Sequence, residues 1–174
     1  MNTEFPPTLA RFILFDGLLT PTGPMTKFLL SVHVLAAILT IGPVAIAASM
    51  FPPAARRATQ EGGVTAVRVL HRICRVYAAV GVLVPAFGLA TARALGVLGD
   101  AWLITSIVLT AVAAAMLIWL ILPRQDVILS ALADQGRPDD RGTARLAMAT
   151  GIFNLIWAVV VVLMIVRPGS TTGA

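Results

Sequence analysis

His33 is the side chain in this sequence with the clearest capacity for chemistry, because it is an ionisable group inside an apolar stretch. After Lys27, residues 28–50 contain no acidic or basic side chain, and a stretch of this length is enough to cross a bilayer as a helix. An ionisable side chain in such a segment indicates a functional site. His33 has three interpretations: a neutral imidazole bonded to a neighbouring helix, an axial ligand of a haem iron, or a group that handles protons.

The depth of His33 limits which residue can be a second ligand to an iron. His71 falls at the opposite end of its own apolar segment, about 15–20 Å away along the membrane normal, so two histidines on one iron are not expected. Met164 lies near the end of the last apolar segment, at a depth closer to that of His33. The sequence therefore predicts at most one haem b, bound by His33 alone or by His33 together with Met164.

His71, the second histidine, lies in an arginine-rich segment. Arg68, Arg72 and Arg75 follow i, i+4, i+7 spacing, which places them on one helical face. A positive face at the membrane boundary predicts contact with anionic lipid headgroups. His71 is interpreted either as an interfacial residue of this cluster or as part of an anion site.

Uncharged polar residues inside the apolar segments predict contacts between helices. Thr40 shares a helical face with His33, and Asn154 is predicted at a similar depth to Thr40, so we expect a hydrogen bond between them. Such a bond contributes about 1 kcal/mol. No metalloprotease, redox dithiol, nucleophile-elbow or nucleotide-loop motif occurs in the sequence. We therefore expect no catalytic residues.

The elements that position these residues are four apolar segments. The chain of 174 residues is 58% hydrophobic and 12% charged, whereas roughly a quarter of the residues in a soluble domain are charged. This predicts an all-α membrane protein with four transmembrane helices in an antiparallel bundle. The predicted helices cover residues 27–50, 76–95, 101–122 and 146–166, with the first ending before Pro52-Pro53 and the third at Pro123.

Three regions follow from this pattern. Residues 1–26 form an N-terminal interfacial segment, in which residues 8–19 predict a short helix lying on the membrane surface. Residues 27–167 form the transmembrane domain, and residues 168–174 form a polar tail.

Arginine distribution predicts the orientation in the membrane. The first and third connections carry most of the arginines, so they face the cytoplasm and both termini face outward. The net charge of +5 is explained by contacts with the bilayer and its anionic lipids, and no nucleic-acid partner is expected.

Short motifs distributed along residues 27–166 resemble those of a family of four-helix bacterial membrane proteins of unknown function. The motifs are Lys27-Phe28-Leu29 before His33, Gly42-Pro43 with Pro53 and Arg56 beyond, Gly88-Leu89-Ala90, and Asp100-Ala101-Trp102-Leu103. The resemblance implies a bacterial cytoplasmic membrane as the location.

The helix core is also distantly similar to the HemJ-type protoporphyrinogen oxidases and the CopD-type copper-resistance proteins, which have a histidine in the first span. In the HemJ type this histidine is a haem ligand, and only His33 carries over by position. The HemJ type uses a lysine later in the chain, and this sequence has none after Lys27. The six methionines do not supply the Met/His copper ligation of the CopD type.

Two functions remain open from the sequence. The first is a small membrane protein that binds one haem b through His33 for electron handling. The second is a structural or accessory subunit of a larger membrane complex, or of a homo-oligomer, without catalytic activity.

Overall fold

The computed structural model describes residues 23–58, 63–134 and 137–169. In these ranges the chain is helical and contains no strand. The predicted interfacial helix at residues 8–19 lies outside the described residues. The helices are α1 (Pro24–Arg57), α2 (Gly63–Val80), α3 (Leu83–Leu95), α4 (Ala101–Met116), α5 (Leu122–Ala133) and α6 (Asp140–Val166). A π-helical segment, Leu117–Ile121, joins α4 to α5.

Four helical stretches of the described residues are long and apolar enough to cross a membrane. The first span is α1, the second combines α2 and α3 (Gly63–Leu95), the third runs from α4 to α5 (Ala101–Ala133), and the fourth is α6. The chain is therefore an all-α membrane protein, as the sequence predicts.

The first span extends beyond its predicted end, because Pro52 and Pro53 lie inside α1 and the helix continues to Arg57. Proline in a helix interior removes a hydrogen bond and costs about 3 kcal/mol. Phe51 and Ala55, one turn apart on either side of these prolines, are fully buried. These buried side chains pack the continued helix into the main core, on both sides of the two prolines.

The third span also continues past its predicted end at Pro123. In the π-helical segment the amide N–H of Leu122 bonds to the carbonyl oxygen of Leu117, five residues earlier. Pro123 then falls in the first turn of α5, directly after the π-helical segment, where its missing N–H removes one backbone hydrogen bond. The extra residue in this turn rotates the following side chains by about 100° relative to an uninterrupted helix.

The other two spans also begin before the predicted segments. The second starts at Gly63 and is interrupted at residues 81–82, close to the kink that Gly81 and Pro85 predict. The fourth starts at Asp140, because the carboxylate of Asp139 caps the helix by accepting bonds from the backbone N–H groups of Arg141 and Gly142. Asp139 is therefore the N-cap of this helix.

The main core lies at the arginine-rich end of the bundle, and it includes Phe51 and Ala55 from α1, Val67 from α2, Ile128 from α5 and Leu146 from α6. A smaller cluster lies at the other end. It contains Ala92, Val97, Trp102 and Leu103, and Met164 packs against it. The bundle is therefore closed most tightly where its arginines are concentrated.

The connection between the first two spans depends on Gly63. A Cβ added at this position would lie 2.5 Å from the Cα of Ala58, so we expect Gly63→Ala to destabilise the fold by about 1–3 kcal/mol. Gly151→Ala is the matched control, because a Cβ at Gly151 meets nothing within 4 Å and alanine favours a helix by about 0.5–1 kcal/mol. Unfolding of both variants in detergent measures the difference. Equal stability of the two variants would contradict the close approach at Gly63.

Candidate functional site

His33 joins the first span to the second. Its Nδ1 lies 2.9 Å from the backbone carbonyl oxygen of Val84, at the start of α3. A carbonyl oxygen only accepts, so Nδ1 carries the proton and donates it. The side chain is half-buried, and this bond is its one polar contact to the described residues. Nε2 therefore has no hydrogen-bond partner in the described protein.

Gly88 makes room for the imidazole of His33, one turn beyond Val84. A Cβ added to Gly88 would lie 2.9 Å from Cε1, 3.2 Å from Nδ1 and 3.6 Å from Nε2 of the ring. The ring therefore lies against the backbone of α3 in a position that a larger side chain at 88 would disturb. The Gly88-Leu89-Ala90 motif thus includes the residue that allows His33 to approach α3.

Met164, the predicted second ligand, packs against the small cluster formed by Ala92, Val97, Trp102 and Leu103. The same end of the fourth span is held by Arg167, whose guanidinium lies 5.6 Å from the centroid of the Trp102 ring. No hydrogen bond joins Met164 to His33 in the part of the chain that the structure describes. The structure places Met164 in the packing at this end of the bundle, so a role beside His33 stays a prediction.

His71 is buried in the bundle, with 6% of its surface exposed. This corrects the interpretation of His71 as an interfacial lipid or anion contact. Arg68, Arg72 and Arg75 are exposed, as their shared face predicts, whereas Val67, His71 and Cys74 form a separate buried face of α2. The physical reason is helix geometry, because the two faces lie about 100° apart around the helix axis.

A buried polar network surrounds His71. Its Nδ1 lies 2.9 Å from Oε1 of Gln125 on α5, and Nε2 of Gln125 donates to Sγ of Cys74 at 3.6 Å. Gln125 and Cys74 are fully buried. The amide of Gln125 therefore joins the second and third spans by satisfying two groups on α2.

Asp126 lies at the outer edge of this network. Its Oδ1 is 3.0 Å from Nε2 of His71, which is ion-pair distance, yet Nε2 makes no hydrogen bond of acceptable geometry. The Asp126 side chain is 58% exposed. Because the carboxylate keeps most of its hydration, Asp126 stabilises His71 only weakly. The hydrogen bond with Gln125 contributes most of the stabilisation of His71.

The sequence singles out His71 in this network but not Gln125. Gln125 follows Pro123, and a helix that ends at the proline would leave it in a polar loop. The π-helical segment Leu117–Ile121 changes this, because it continues the helix and turns Gln125 toward His71. The available signal was a glutamine three residues after the apolar run that ends at Leu122, and two residues after a proline.

Asn154 makes an interhelical hydrogen bond, but to a different residue from the one expected. Its Nδ2 donates to the hydroxyl of Ser49 on α1 at 2.9 Å. Thr40 is buried and lies more than two turns from Ser49, with its methyl group close to Gly81 of the second span. The predicted depth of Asn154 is therefore wrong, because its partner lies more than two turns closer to the arginine-rich end than Thr40 does.

A cavity of about 150 Å³ lies among the four spans, and Thr40, Tyr77, Thr110 and Trp157 are among its lining residues. A cavity of this size accommodates a single apolar ring. His33 does not line it, so it is not the place of a cofactor bound to His33. Among the described residues, no three His, Cys, Asp or Glu side chains converge to hold a metal ion.

The fold and the site define a class: a membrane protein of four apolar spans, with one histidine bonded between the first two spans and another buried at the opposite end. The model of a family described as predicted integral membrane protein (DUF2269) matches residues 27–168. The chain therefore belongs to this family. No curated protein and no solved structure matches the chain.

Substitution of Gln125 tests how much the network around His71 contributes to the stability of the fold. Gln125→Leu leaves two buried groups on α2 without a partner, so we expect the free energy of unfolding to fall by about 1–3 kcal/mol. Ser130→Ala on the same helix is the control, because Ser130 is exposed and bonds only within α5. Chemical unfolding of both variants in detergent provides the comparison. An effect of Gln125→Leu no larger than that of Ser130→Ala would contradict the network.

Proposed function

We propose that this protein binds one haem b through Nε2 of His33 and handles electrons in the membrane. The observation that carries the proposal is the hydrogen bond from Nδ1 of His33 to the carbonyl oxygen of Val84. Histidines that ligate a metal usually donate their other ring N–H to a carbonyl or carboxylate, which fixes the tautomer and orients the ring. His33 has this arrangement, and its Nε2 is left with a lone pair.

His33 and His71 differ in how many of their ring nitrogens lie close to an oxygen atom. Both ring nitrogens of His71 are within 3.0 Å of an oxygen, on Gln125 and Asp126. His33 has one nitrogen engaged, and it lies outside the main core. A planar ligand therefore has better access to His33 than to His71, which supports a single site at His33.

A bound haem would supply a one-electron redox centre whose potential depends on its axial ligand and on the surrounding polarity. The residues of this chain would fix the ligand geometry. Val84 holds the proton on Nδ1, Gly88 sets how closely the ring approaches α3, and the apolar flanks of α1 and α3 exclude water. Exclusion of water would make the charged form of the haem less stable, and this would shift the reduction potential of the haem.

The absorption spectrum of the purified protein tests the proposal. After expression with haem available, we expect a Soret band of about one haem per chain in the wild type, and its loss in His33→Ala and His33→Gln. Glutamine can still donate to the carbonyl oxygen of Val84, so it removes the ligand while keeping the interhelical contact. His71→Ala is the matched control and should retain the band.

Gly88→Ala provides a second readout from the same spectrum. The added methyl group would press on the imidazole, so we expect a weaker or shifted Soret band. Gly42→Ala in the first span is the control, because a Cβ at Gly42 meets nothing within 4 Å, and it should leave the band unchanged. A further variant, Met164→Leu, changes the band only if Met164 is the second ligand. Absence of a Soret band in the wild type, or its survival in His33→Ala, would contradict the proposal.

The alternative function is a structural or accessory subunit of a larger membrane complex. The observation that favours it is the wide uncovered face of α1, where Phe28, Leu35, Ile38, Leu39 and Ile46 are each more than half exposed. Partner spans or lipid tails can cover such a face. Recovery of a stoichiometric partner after purification in mild detergent, from a protein without a Soret band, would favour this function.

We infer that the arginine-rich end faces the cytoplasm of a bacterial cell, with both termini on the opposite side of the cytoplasmic membrane. The support is the positive-inside rule, since Arg56, Arg57, Arg68, Arg72 and Arg75 all lie on the connection between the first two spans or beside it. The exposed row Arg68, Arg72 and Arg75 then contacts anionic lipids at the headgroup level.

A further inference from the structure

A second cavity, of about 350 Å³, lies at the arginine-rich end of the bundle between α5 and the start of α6. Its charged lining residues are Arg124, Arg137, Arg145 and Asp139. This volume falls in the range of ligand-binding pockets, which starts at about 300 Å³. The cavity is separate from both histidines, because neither of them lines it.

The charge of the lining is strongly unbalanced. Three guanidinium groups and one carboxylate leave a net charge of +2. The carboxylate of Asp139 is already engaged, because its two oxygens accept the backbone N–H groups of Arg141 at 3.1 Å and Gly142 at 2.9 Å. No salt bridge to Arg124, Arg137 or Arg145 occurs within the described residues. Among the described residues, these three arginines therefore face the cavity without a carboxylate that forms a salt bridge with them.

The position of the cavity along the membrane normal suggests its ligand. Arg124 lies two residues after Leu122, where the apolar segment ends, and Arg145 directly precedes Leu146, which is fully buried in the main core. Ile128 lines the cavity and belongs to the same core. The arginines thus lie where the apolar spans meet the polar end, which is the depth of lipid headgroups.

We propose that Arg124, Arg137 and Arg145 form a phosphate-binding site in this cavity. Guanidinium groups bind phosphate oxygens through paired, charge-assisted hydrogen bonds, and a phosphomonoester carries about two negative charges at neutral pH. Its charge thus matches that of the lining. The phosphate belongs either to a lipid headgroup that enters from the bilayer or to a free phosphate from the aqueous side.

This site differs from the exposed row of Arg68, Arg72 and Arg75. That row lies on the surface of one helix, whereas the cavity brings together arginines from α5, from the segment before α6 and from α6 itself. A surface row attracts any anionic lipid weakly, whereas guanidinium groups that converge from three segments on one half-open cavity bind a single phosphate group together. The site also does not depend on haem, so loss of the proposed haem function leaves it unaffected.

Native mass spectrometry of the detergent-solubilised full chain tests the site by titration with phosphatidic acid, and with phosphatidylcholine as the zwitterionic comparison. We expect one tightly bound phosphatidic acid in the wild type, and a roughly tenfold weaker first binding step in Arg124→Gln and in Arg145→Gln. Arg57→Gln removes the same charge from an exposed arginine that does not line the cavity, and should change this step less than twofold. The unfolding midpoint of each variant without added lipid checks that its fold is intact.

Competition with inorganic phosphate separates the two sources. If millimolar phosphate displaces phosphatidic acid in the wild type, with sulfate less effective, the site accepts a free phosphate. If phosphate does not compete, the site requires a lipid headgroup. An equal loss of binding in Arg57→Gln and Arg145→Gln, or equal binding of phosphatidylcholine and phosphatidic acid, would overturn the proposal.

Discussion

Polar groups that enter the hydrocarbon layer need a partner within the protein, and this constraint shapes the bundle more than any single apolar contact. Some groups find one in their own helix, as Ser106 does by donating to the carbonyl oxygen of Trp102. Others join separate spans: His33 bonds to Val84, and Asn154 bonds to Ser49. Because the lipid provides no competing partner, bonds of this second kind help to set which spans lie side by side.

The two ends of the bundle satisfy this constraint differently, and this difference separates the two histidines. At the arginine-rich end, the main core packs around a closed network in which Gln125 bonds to both His71 and Cys74. At the other end the packing is smaller and His33 is only half-buried. His71 is thus buried in the core and bonded to Gln125, whereas His33 is half-buried and has one ring nitrogen without a partner among the described residues. This difference is the basis for proposing a ligand at His33 and not at His71.

The sequence predicts the class of fold well, because the apolar segments that are long enough to span a bilayer can be recognised directly in it. It predicts helix ends poorly where prolines are present. Pro123 is an ordinary helix stop in water, but here a π-helical turn and burial of the following helix allow the chain to continue. Gln125 could not be identified for the same reason, and the partner of Asn154 depends on the relative depth of two helices, which one sequence does not give. By contrast, the choice of His33 as the candidate ligand follows from its residue type and depth, which the sequence contains.

The state of the two histidine rings tests the central claim most directly. With only two histidines in the chain, ¹⁵N-histidine labelling of the protein in lipid nanodiscs gives signals from His33 and His71 that single substitutions assign. The account predicts that Nδ1 of His33 carries a hydrogen-bonded proton, and that added haem changes the Nε2 signal of His33 while leaving His71 unchanged. A proton on Nε2 of His33 with Nδ1 bare, or a haem-dependent change confined to His71, would contradict it.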